Sequence, residues 1–364
     1  MSIRRIACFI SPHGLGHAAR AAAVLSALQE LAPRLGLDLF TTAQAAFFEN
    51  SGCRDITVHT FRTDLGFVQK SALVEDIPET IRTLDAFLPF NPGLVAQLAE
   101  TVRQRGCEAI LCDIAPLGIA VAKAAGIPSI LEENFRWDHL YAHYGAAHPR
   151  MAAHAAALSP WFDAADLIIQ TEPVCNRDPK ATLLTGPVSR PPRQDAATSR
   201  QRLGIPPDRK LVLITMGGVS ERTPLLAHLA HRKDLVFVVA WGADRMRTSG
   251  NVISLPLQSE FYHPDLIAAA DAVIGKVGYS TLAEVYHAGV PFGYIARRNY
   301  PEMPPLVDFI AKNMAALPLD DADLGDGVAP DFIDRLLTLP RRPPTLPNGA
   351  RQIAEQLIRF LNLP

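Results

Sequence analysis

Two histidines flank a glycine-rich turn near the start of the chain, where they could exchange protons with a bound molecule. Residues 6–10 predict a strand, the turn reads Ser11-Pro12-His13-Gly14-Leu15-Gly16-His17, and an alanine-rich helix is predicted from Ala18. Such a turn aims unpaired N–H groups at one point, which suits a phosphate, and its glycines let a ligand approach the backbone. The helix dipole disfavours imidazolium at His17, and a neutral His17 could accept a proton. The alternative is that His17 caps the helix or packs against the loop.

Two further glycine-rich turns lie in the second half. A predicted strand at residues 211–215 runs into Met216-Gly217-Gly218-Val219-Ser220, and the segment Gly275-Lys276-Val277-Gly278-Tyr279-Ser280-Thr281 leads into another predicted helix. One interpretation of this helix start is a capping box, with Ser280 or Thr281 as the N-cap and Glu284 reaching back to it. The other is that the turn holds a diphosphate while the Glu284 carboxylate accepts hydrogen bonds from two ribose hydroxyls. The two interpretations are compatible.

Three other segments carry groups with possible chemistry. Arg297-Arg298-Asn299-Tyr300-Pro301-Glu302 follows a predicted strand and has the donors and acceptors that sugar hydroxyls need, with a solvated loop as the alternative. Residues 133–144 are rich in aromatic side chains, which would stack on sugar rings or pack into the core. Asp321-Ala322-Asp323 has the spacing of a metal motif, but its acidic surroundings favour a solvated loop. We therefore predict no metal site.

Strands that alternate with helices position these segments. The pattern predicts an α/β fold with doubly wound parallel sheets in two domains, because most candidate segments follow a strand and ligands bind beyond the carboxyl ends of such strands. We predict a first domain at 1–187, a linker at 188–196, a second domain at 197–345 and a final helical segment at 346–364. The polar and aromatic stretch 62–78 is predicted to be an exposed loop.

Composition excludes several classes of protein. The chain has 364 residues, a formal net charge of −2 and no long basic block, so no nucleic-acid surface is predicted. No apolar run is long enough to span a bilayer, and the short N-terminal apolar run is interpreted as a strand and not as a signal peptide. Five cysteines without a CxxC motif indicate core thiols in a reducing compartment. These features predict a cytoplasmic protein. The first turn also lacks the GxGxxG pattern of nicotinamide enzymes.

Four segments carry a resemblance to a known family: HGLGHAAR at 13–20, ENFRWDHLYAHY at 133–144, FYHPDLIAAADAVIGKVGYSTLAE at 261–284 and PFGYIARRNYPE at 291–302. The chain resembles two-lobed GT-B nucleotide-sugar glycosyltransferases, whose Rossmann-like lobes face each other across a cleft. It is similar to the glycosyltransferase-like N-terminal portion of plant L-arabinokinases. The C-terminal lobe resembles that of the peptidoglycan N-acetylglucosaminyltransferase. The kinase half of arabinokinase is absent, so its activity is not carried over.

The resemblance implies that the two lobes bind different substrates. The C-terminal lobe would bind a nucleoside-diphosphate sugar, with UDP expected by analogy, and the N-terminal lobe would bind a small-molecule acceptor. The last helix, 349–361, would cross back to the N-terminal lobe. The resemblance assigns the donor to Gly14, Gly16, Gly217, Gly218, Leu257, Lys276, Gly278, Ser280, Thr281, Glu284, Asn299 and Glu302. In this set Leu257 would face the base, Glu284 the ribose, and Asn299 with Glu302 the sugar.

The implied reaction is the transfer of a hexosyl or N-acetylhexosaminyl group. His17, or else His13, would remove the proton of the acceptor hydroxyl, and Asp113, Asn134 and Trp137 are assigned to the acceptor. A single displacement without a metal or a cofactor would invert the anomeric centre. Two alternatives stay open. One is a nucleotide-sugar hydrolase, because Gly14-x-Gly16-His17-x-x-Arg20 also resembles enzymes that strip UDP from amino sugars. The other is a non-catalytic nucleotide-sugar-binding module.

Overall fold

The computed structural model describes residues 4–71, 74–216, 232–320 and 329–363. The chain divides into two compact units, one formed by Met1–Ser189 with Pro347–Pro364 and the other by Arg190–Leu346. Each unit contains a seven-stranded sheet, so the predicted α/β fold with two parallel-sheet domains is confirmed. Gly217, Gly218 and the Asp321-Ala322-Asp323 motif lie outside the described residues.

The first unit is built on a fully parallel sheet. Its strands are β1 (Arg5–Ile10), β2 (Gly36–Thr41), β3 (Ile56–Thr60), β6 (Cys107–Asp113), β7 (Ser129–Glu133), β8 (Leu167–Thr171) and β9 (Leu183–Thr185). They lie in the order β3-β2-β1-β6-β7-β8-β9, and a separate antiparallel ribbon pairs β4 (Gln69–Ser71) with β5 (Val74–Glu75). The strand order reverses between β1 and β6, which is the point where open α/β sheets bind ligands.

Eight helices of the described chain belong to this unit, and most of them cover the faces of the sheet. They are α1 (Leu15–Leu31), α2 (Ala45–Glu49), α3 (Ile77–Phe87), α4 (Pro92–Gln104), α5 (Pro116–Ala125), α6 (Trp137–His143), α7 (Pro149–Phe162) and the C-terminal α13 (Gly349–Leu361). Because alanine side chains are small, the alanine-rich α1 can pack closely against the sheet and against α13. Ile353, Ala354 and Leu357 of α13 lie in the same core cluster as Ala22 and Leu25 of α1.

The second unit has a sheet of the same plan. Its strands are β10 (Lys210–Thr215), β11 (Leu235–Val239), β12 (Arg247–Ser249), β13 (Val252–Ser254), β14 (Ala272–Lys276), β15 (Phe292–Ile295) and β16 (Ala316–Pro318). Their order is β12-β13-β11-β10-β14-β15-β16, with only β12 antiparallel to its neighbour. The described helices are α8 (Ala196–Arg202), α9 (His263–Ala269), α10 (Tyr279–Ala288), α11 (Met303–Asn313) and α12 (Pro330–Thr338).

One local prediction is wrong. The stretch 62–78 is not an exposed loop, because Thr63, Asp64, Leu65 and Phe67 are buried and the segment continues into the β4–β5 ribbon. The capping-box interpretation of α10 is also not supported. Gly278 is the N-cap, and no side chain caps this helix. The Glu284 carboxylate is instead held by residues from other parts of the second unit.

Candidate active site

The glycine-rich turn after β1 places His17 over the end of the sheet. Gly14 is the N-cap of α1 at φ 88° and ψ 168°, a backbone conformation that is almost confined to glycine. The helix therefore begins at Leu15, and His17 is its third residue. Helical side chains lean toward the N-terminus of the helix. The largely buried His17 ring consequently lies near the carboxyl ends of β1 and β6.

An aspartate at the end of β6 fixes the orientation of this ring. His17 Nδ1 lies 2.7 Å from Oδ1 of Asp113, which is itself buried. An ionised carboxylate can only accept hydrogen bonds, so Nδ1 carries the proton and the neutral ring has its lone pair on Nε2. Among the described residues, Nε2 has no hydrogen-bond partner. In this tautomer Nε2 is the ring nitrogen that can accept a proton.

Arg20, one helical turn after His17, keeps Asp113 charged. Its Nε donates to Asp113 Oδ2 at 2.9 Å and its Nη2 to Oδ1 at 2.6 Å. Burial alone would raise the pKa of Asp113, but the positive charge of Arg20 and the hydrogen bonds from His17 and Arg20 hold this pKa below its ordinary value. Arg20 Nη1 also donates to Asn134 Oδ1. Asn134 is anchored by its Nδ2, which lies 2.6 Å from both Thr171 O and Thr171 Oγ1.

A second buried carboxyl lies beside this network. Glu132 of β7 is paired in register with Asp113, and its Oε1 is 3.7 Å from Arg20 Nε. Burial raises the pKa of Glu132 to about 8, against the opposing charge of Arg20. The raised pKa of Glu132 favours its neutral form at pH 7, whereas the lowered pKa of Asp113 favours its ionised form.

The wall on the other side of His17 is formed by the segment predicted to be an exposed loop. Asp64 accepts hydrogen bonds from Ser11 Oγ at 2.8 Å and from Trp137 Nε1 at 2.9 Å, and burial raises the pKa of Asp64 to about 7. The His13 ring packs edge-on against Trp137 with ring centroids 5.2 Å apart. Trp137, like Phe135 and Tyr141, is almost fully buried. These three aromatic side chains of the segment 133–144 therefore pack into the core, which is the alternative to stacking on sugar rings.

The second unit has a comparable trio at the end of β10. Arg190 Nε and Nη2 donate to Glu284 Oε1 at 3.0 and 2.9 Å, and His263 Nδ1 lies 2.8 Å from Oε2. Burial would raise the pKa of Glu284, but the charge of Arg190 and the hydrogen bond from His263 hold it below its ordinary value. His263 Nε2 is 3.2 Å from Thr215 Oγ1, so both ring nitrogens of His263 have partners.

The other described donor residues of the second unit lie near the carboxyl ends of its strands, whereas Gly14 and Gly16 lie at the start of α1 in the first unit. Lys276 ends β14, and Ser280 and Thr281 lie in the first turn of α10. Gly278 has an extended backbone with open space where a Cβ would be. Leu257, three residues after the end of β13, is 56% exposed. Asn299 has a left-handed φ of 54°, and Glu302 is the N-cap of α11.

No metal-binding group of three or more His, Cys, Asp or Glu residues is found in the described part of the chain. Within the same residues, no helix has the length and apolarity needed to cross a membrane. Four of the five cysteines are buried, and the fifth, Cys175, is half-buried.

No protein-family model matches the sequence. Among curated proteins, the chain is similar to L-arabinokinase of Arabidopsis thaliana, with 25% identity over 342 residues. The similarity covers 92% of this chain and 32% of the relative, so the chain spans about a third of that protein's length.

Solved structures extend the similarity over the whole chain. UGT89C1 of Arabidopsis thaliana, in complex with UDP, is 15% identical with a TM-score of 0.63, and 98% of this chain and 99% of the other are covered. MurG of Acinetobacter baumannii is 17% identical with a TM-score of 0.51, and 99% of each chain is covered. The chain has the GT-B fold. The resemblance stated from the sequence motifs is thereby confirmed.

Several groups of this GT-B chain were not singled out from the sequence as site residues. Arg20 and His263 were visible only as parts of quoted motifs, while Asp64 and Arg190 gave no local signal. Trp241 has a left-handed φ of 62° and stacks on His263 with ring centroids 5.5 Å apart. Each of these residues acquires its partners through contacts distant in sequence, which a periodic pattern does not reveal.

Proposed function

We propose that this GT-B protein is a glycosyltransferase that moves a sugar from a nucleoside-diphosphate sugar to a hydroxyl group of a small-molecule acceptor. The fold supports this reaction class, and the similar Arabidopsis protein was solved with UDP, which makes UDP the expected nucleotide. The first unit would bind the acceptor and the second the donor. The reaction would need no cofactor beyond the donor, and the free thiols suit a cytoplasmic location.

The observation that carries the proposal is the His17–Asp113 pair. The Asp113 carboxylate fixes the tautomer in which His17 Nε2 accepts a proton, and Arg20 keeps that carboxylate ionised. His13 packs against Trp137. The hydrogen bond to an ionised carboxylate favours His17 over His13 as the base.

The proposed step is a single displacement. His17 Nε2 takes the proton of the acceptor hydroxyl, the hydroxyl oxygen forms a bond to the anomeric carbon, and the bond from that carbon to the diphosphate oxygen breaks. The diphosphate leaves with the electron pair. We propose that Lys276 and the N-terminal amides of α10 stabilise its charge in place of a metal. Attack from the side opposite the leaving group inverts the anomeric centre.

The test is a panel of nucleotide sugars incubated with and without candidate acceptors, followed by nucleotide release and product mass. We expect release to depend on an acceptor, and His17→Ala to lower the rate about 10²–10⁴-fold, as expected for loss of a general base. His13→Ala is the matched control and should retain most of the activity. Full activity of His17→Ala would contradict the assigned base.

The same assay separates the other functions. Release without any acceptor that disappears in His17→Ala would identify a hydrolase, in which His17 activates water. Tight nucleotide binding without turnover of any donor would identify a binding module. The stereochemistry of the product, read from the anomeric proton coupling, tests inversion.

A further inference from the structure

Within the His17 network of the described chain, Glu132 is the residue whose side chain makes no hydrogen bond. It is fully buried at the end of β7, and neither of its carboxyl oxygens has a hydrogen-bond partner among the described residues. A buried polar group in this state destabilises the folded protein, so its retention beside the candidate base calls for a physical reason.

Arg20 lies between two carboxyl groups but bonds to only one of them. Its Nε and Nη2 donate to Asp113 at 2.9 and 2.6 Å, and its Nη1 donates to Asn134, while Glu132 Oε1 remains 3.7 Å from Nε. Glu132 and Asp113 are directly opposite each other on neighbouring parallel strands, so both carboxyl groups reach the same guanidinium. A small movement of the Arg20 guanidinium toward Glu132 Oε1 would therefore transfer its hydrogen bonds from Asp113 to Glu132.

The protonation state of Glu132 decides which partner Arg20 prefers. Among the described residues, the charged groups that act on Glu132 are Arg20 from α1 and Asp113 from β6. Burial raises the pKa of Glu132 to about 8, so the group is neutral near pH 7 and attracts the guanidinium weakly. An ionised Glu132 would compete with Asp113 for Arg20 through a strong interaction in a medium of low dielectric constant.

We propose that Glu132 is a positioning residue that, by remaining neutral, leaves Arg20 bonded to Asp113 and so keeps the His17 ring oriented for proton transfer. The proposal rests on the proposed function for its effect on rate, but the coupling between Glu132 and His17 exists without substrate. Ionisation of Glu132 draws Arg20 away from Asp113 and weakens the hydrogen bond that orients His17.

The kinetic test is the pH dependence of kcat/KM in the full chain. For the natural protein we expect the rate to decline above about pH 8, by up to about tenfold per pH unit. Glu132→Gln keeps the shape of the side chain but cannot ionise. It should retain the rate near neutral pH within about threefold and lose the alkaline decline. Glu133→Gln is the matched control, because Glu133 is the next residue, is also buried and bonds to Gln170.

The structural test uses NMR of the His17 Nδ1 proton in the protein without substrates. In the natural protein this resonance should shift or broaden as pH rises through the range in which Glu132 ionises, and in Glu132→Gln it should not. An unchanged alkaline decline in Glu132→Gln, or an equal loss of rate at every pH, would overturn the proposal. If no donor is turned over, the proposed function fails, but the NMR comparison still decides whether Glu132 controls His17.

Discussion

At the scale of single residues, each unit contains a buried carboxylate held by one arginine and one histidine. Asp113 bonds to Arg20 and His17, and Glu284 bonds to Arg190 and His263. The two trios differ in the second nitrogen of the histidine ring. His263 Nε2 has Thr215 as its partner, whereas His17 Nε2 has none in the described chain. The proposal that His17 accepts a proton rests on this difference.

The second trio leads to a prediction about nucleotide binding. We expect Glu284→Gln to weaken the binding of UDP about 10–100-fold, since the ribose hydroxyls lose charged hydrogen bonds of about 1.5–3 kcal/mol. Isothermal titration calorimetry measures the affinity. Glu260→Gln is the control, because Glu260 is an exposed glutamate of the same unit. An affinity equal to that of the control would remove Glu284 from the nucleotide site and leave the ion pair with Arg190 as its role.

At the scale of elements, two helices that begin with a glycine N-cap carry the candidate groups. Gly14 at α1 has φ 88°, and Gly278 at α10 has φ −159°, an extended conformation open to any residue. A Cβ would meet no atom within 4 Å at either position. A substitution at either position would remove a glycine N-cap, but only a substitution at Gly14 would also introduce backbone strain.

This difference predicts unequal effects of the same substitution. Gly14→Ala should lower the free energy of unfolding by about 1–3 kcal/mol, because alanine is strained at that φ and ψ. Gly278→Ala should cost less than about 1 kcal/mol, the effect of the cap alone. Denaturant unfolding without nucleotide measures both. Equal losses in the two variants would show that strain at Gly14 is absent.

Comparison of the predicted and observed elements shows which features were predictable from the sequence. Apolar runs followed by glycine-rich turns correctly indicated β1, α1, β10 and α10, because strand periodicity and turn chemistry are local. The burial of Asp64 was missed, since its partner Trp137 is 73 positions away. The local spacing also suggested a capping box at Thr281 as one interpretation, but Glu284 bonds to Arg190, 94 positions away. A long-range hydrogen bond at Asp64 and a long-range ion pair at Glu284 thus decided the two places where the local pattern failed.

At the scale of the whole molecule, the last segment of the chain completes the first unit. The chain leaves that unit at Ser189 and returns at Pro347. Asn348 caps α13 and also bonds to Ser189, and the buried face of α13 packs into the core cluster of α1. The core of the first unit therefore requires residues synthesised after the whole second unit.

The stability of the first unit should accordingly depend on α13. Leu357 is fully buried, so Leu357→Ala should lower the free energy of unfolding by about 2–5 kcal/mol through lost burial and the cavity left behind. Leu184→Ala, at a leucine that is 44% exposed in the same unit, should cost less than about 1 kcal/mol.

Calorimetry can compare these variants with Leu306→Ala, a buried position of the second unit. If the units melt separately, Leu357→Ala and Leu306→Ala should lower different transitions, because their side chains belong to different cores. A cost for Leu357→Ala no larger than that for Leu184→Ala would mean that α13 contributes little to the first core in solution.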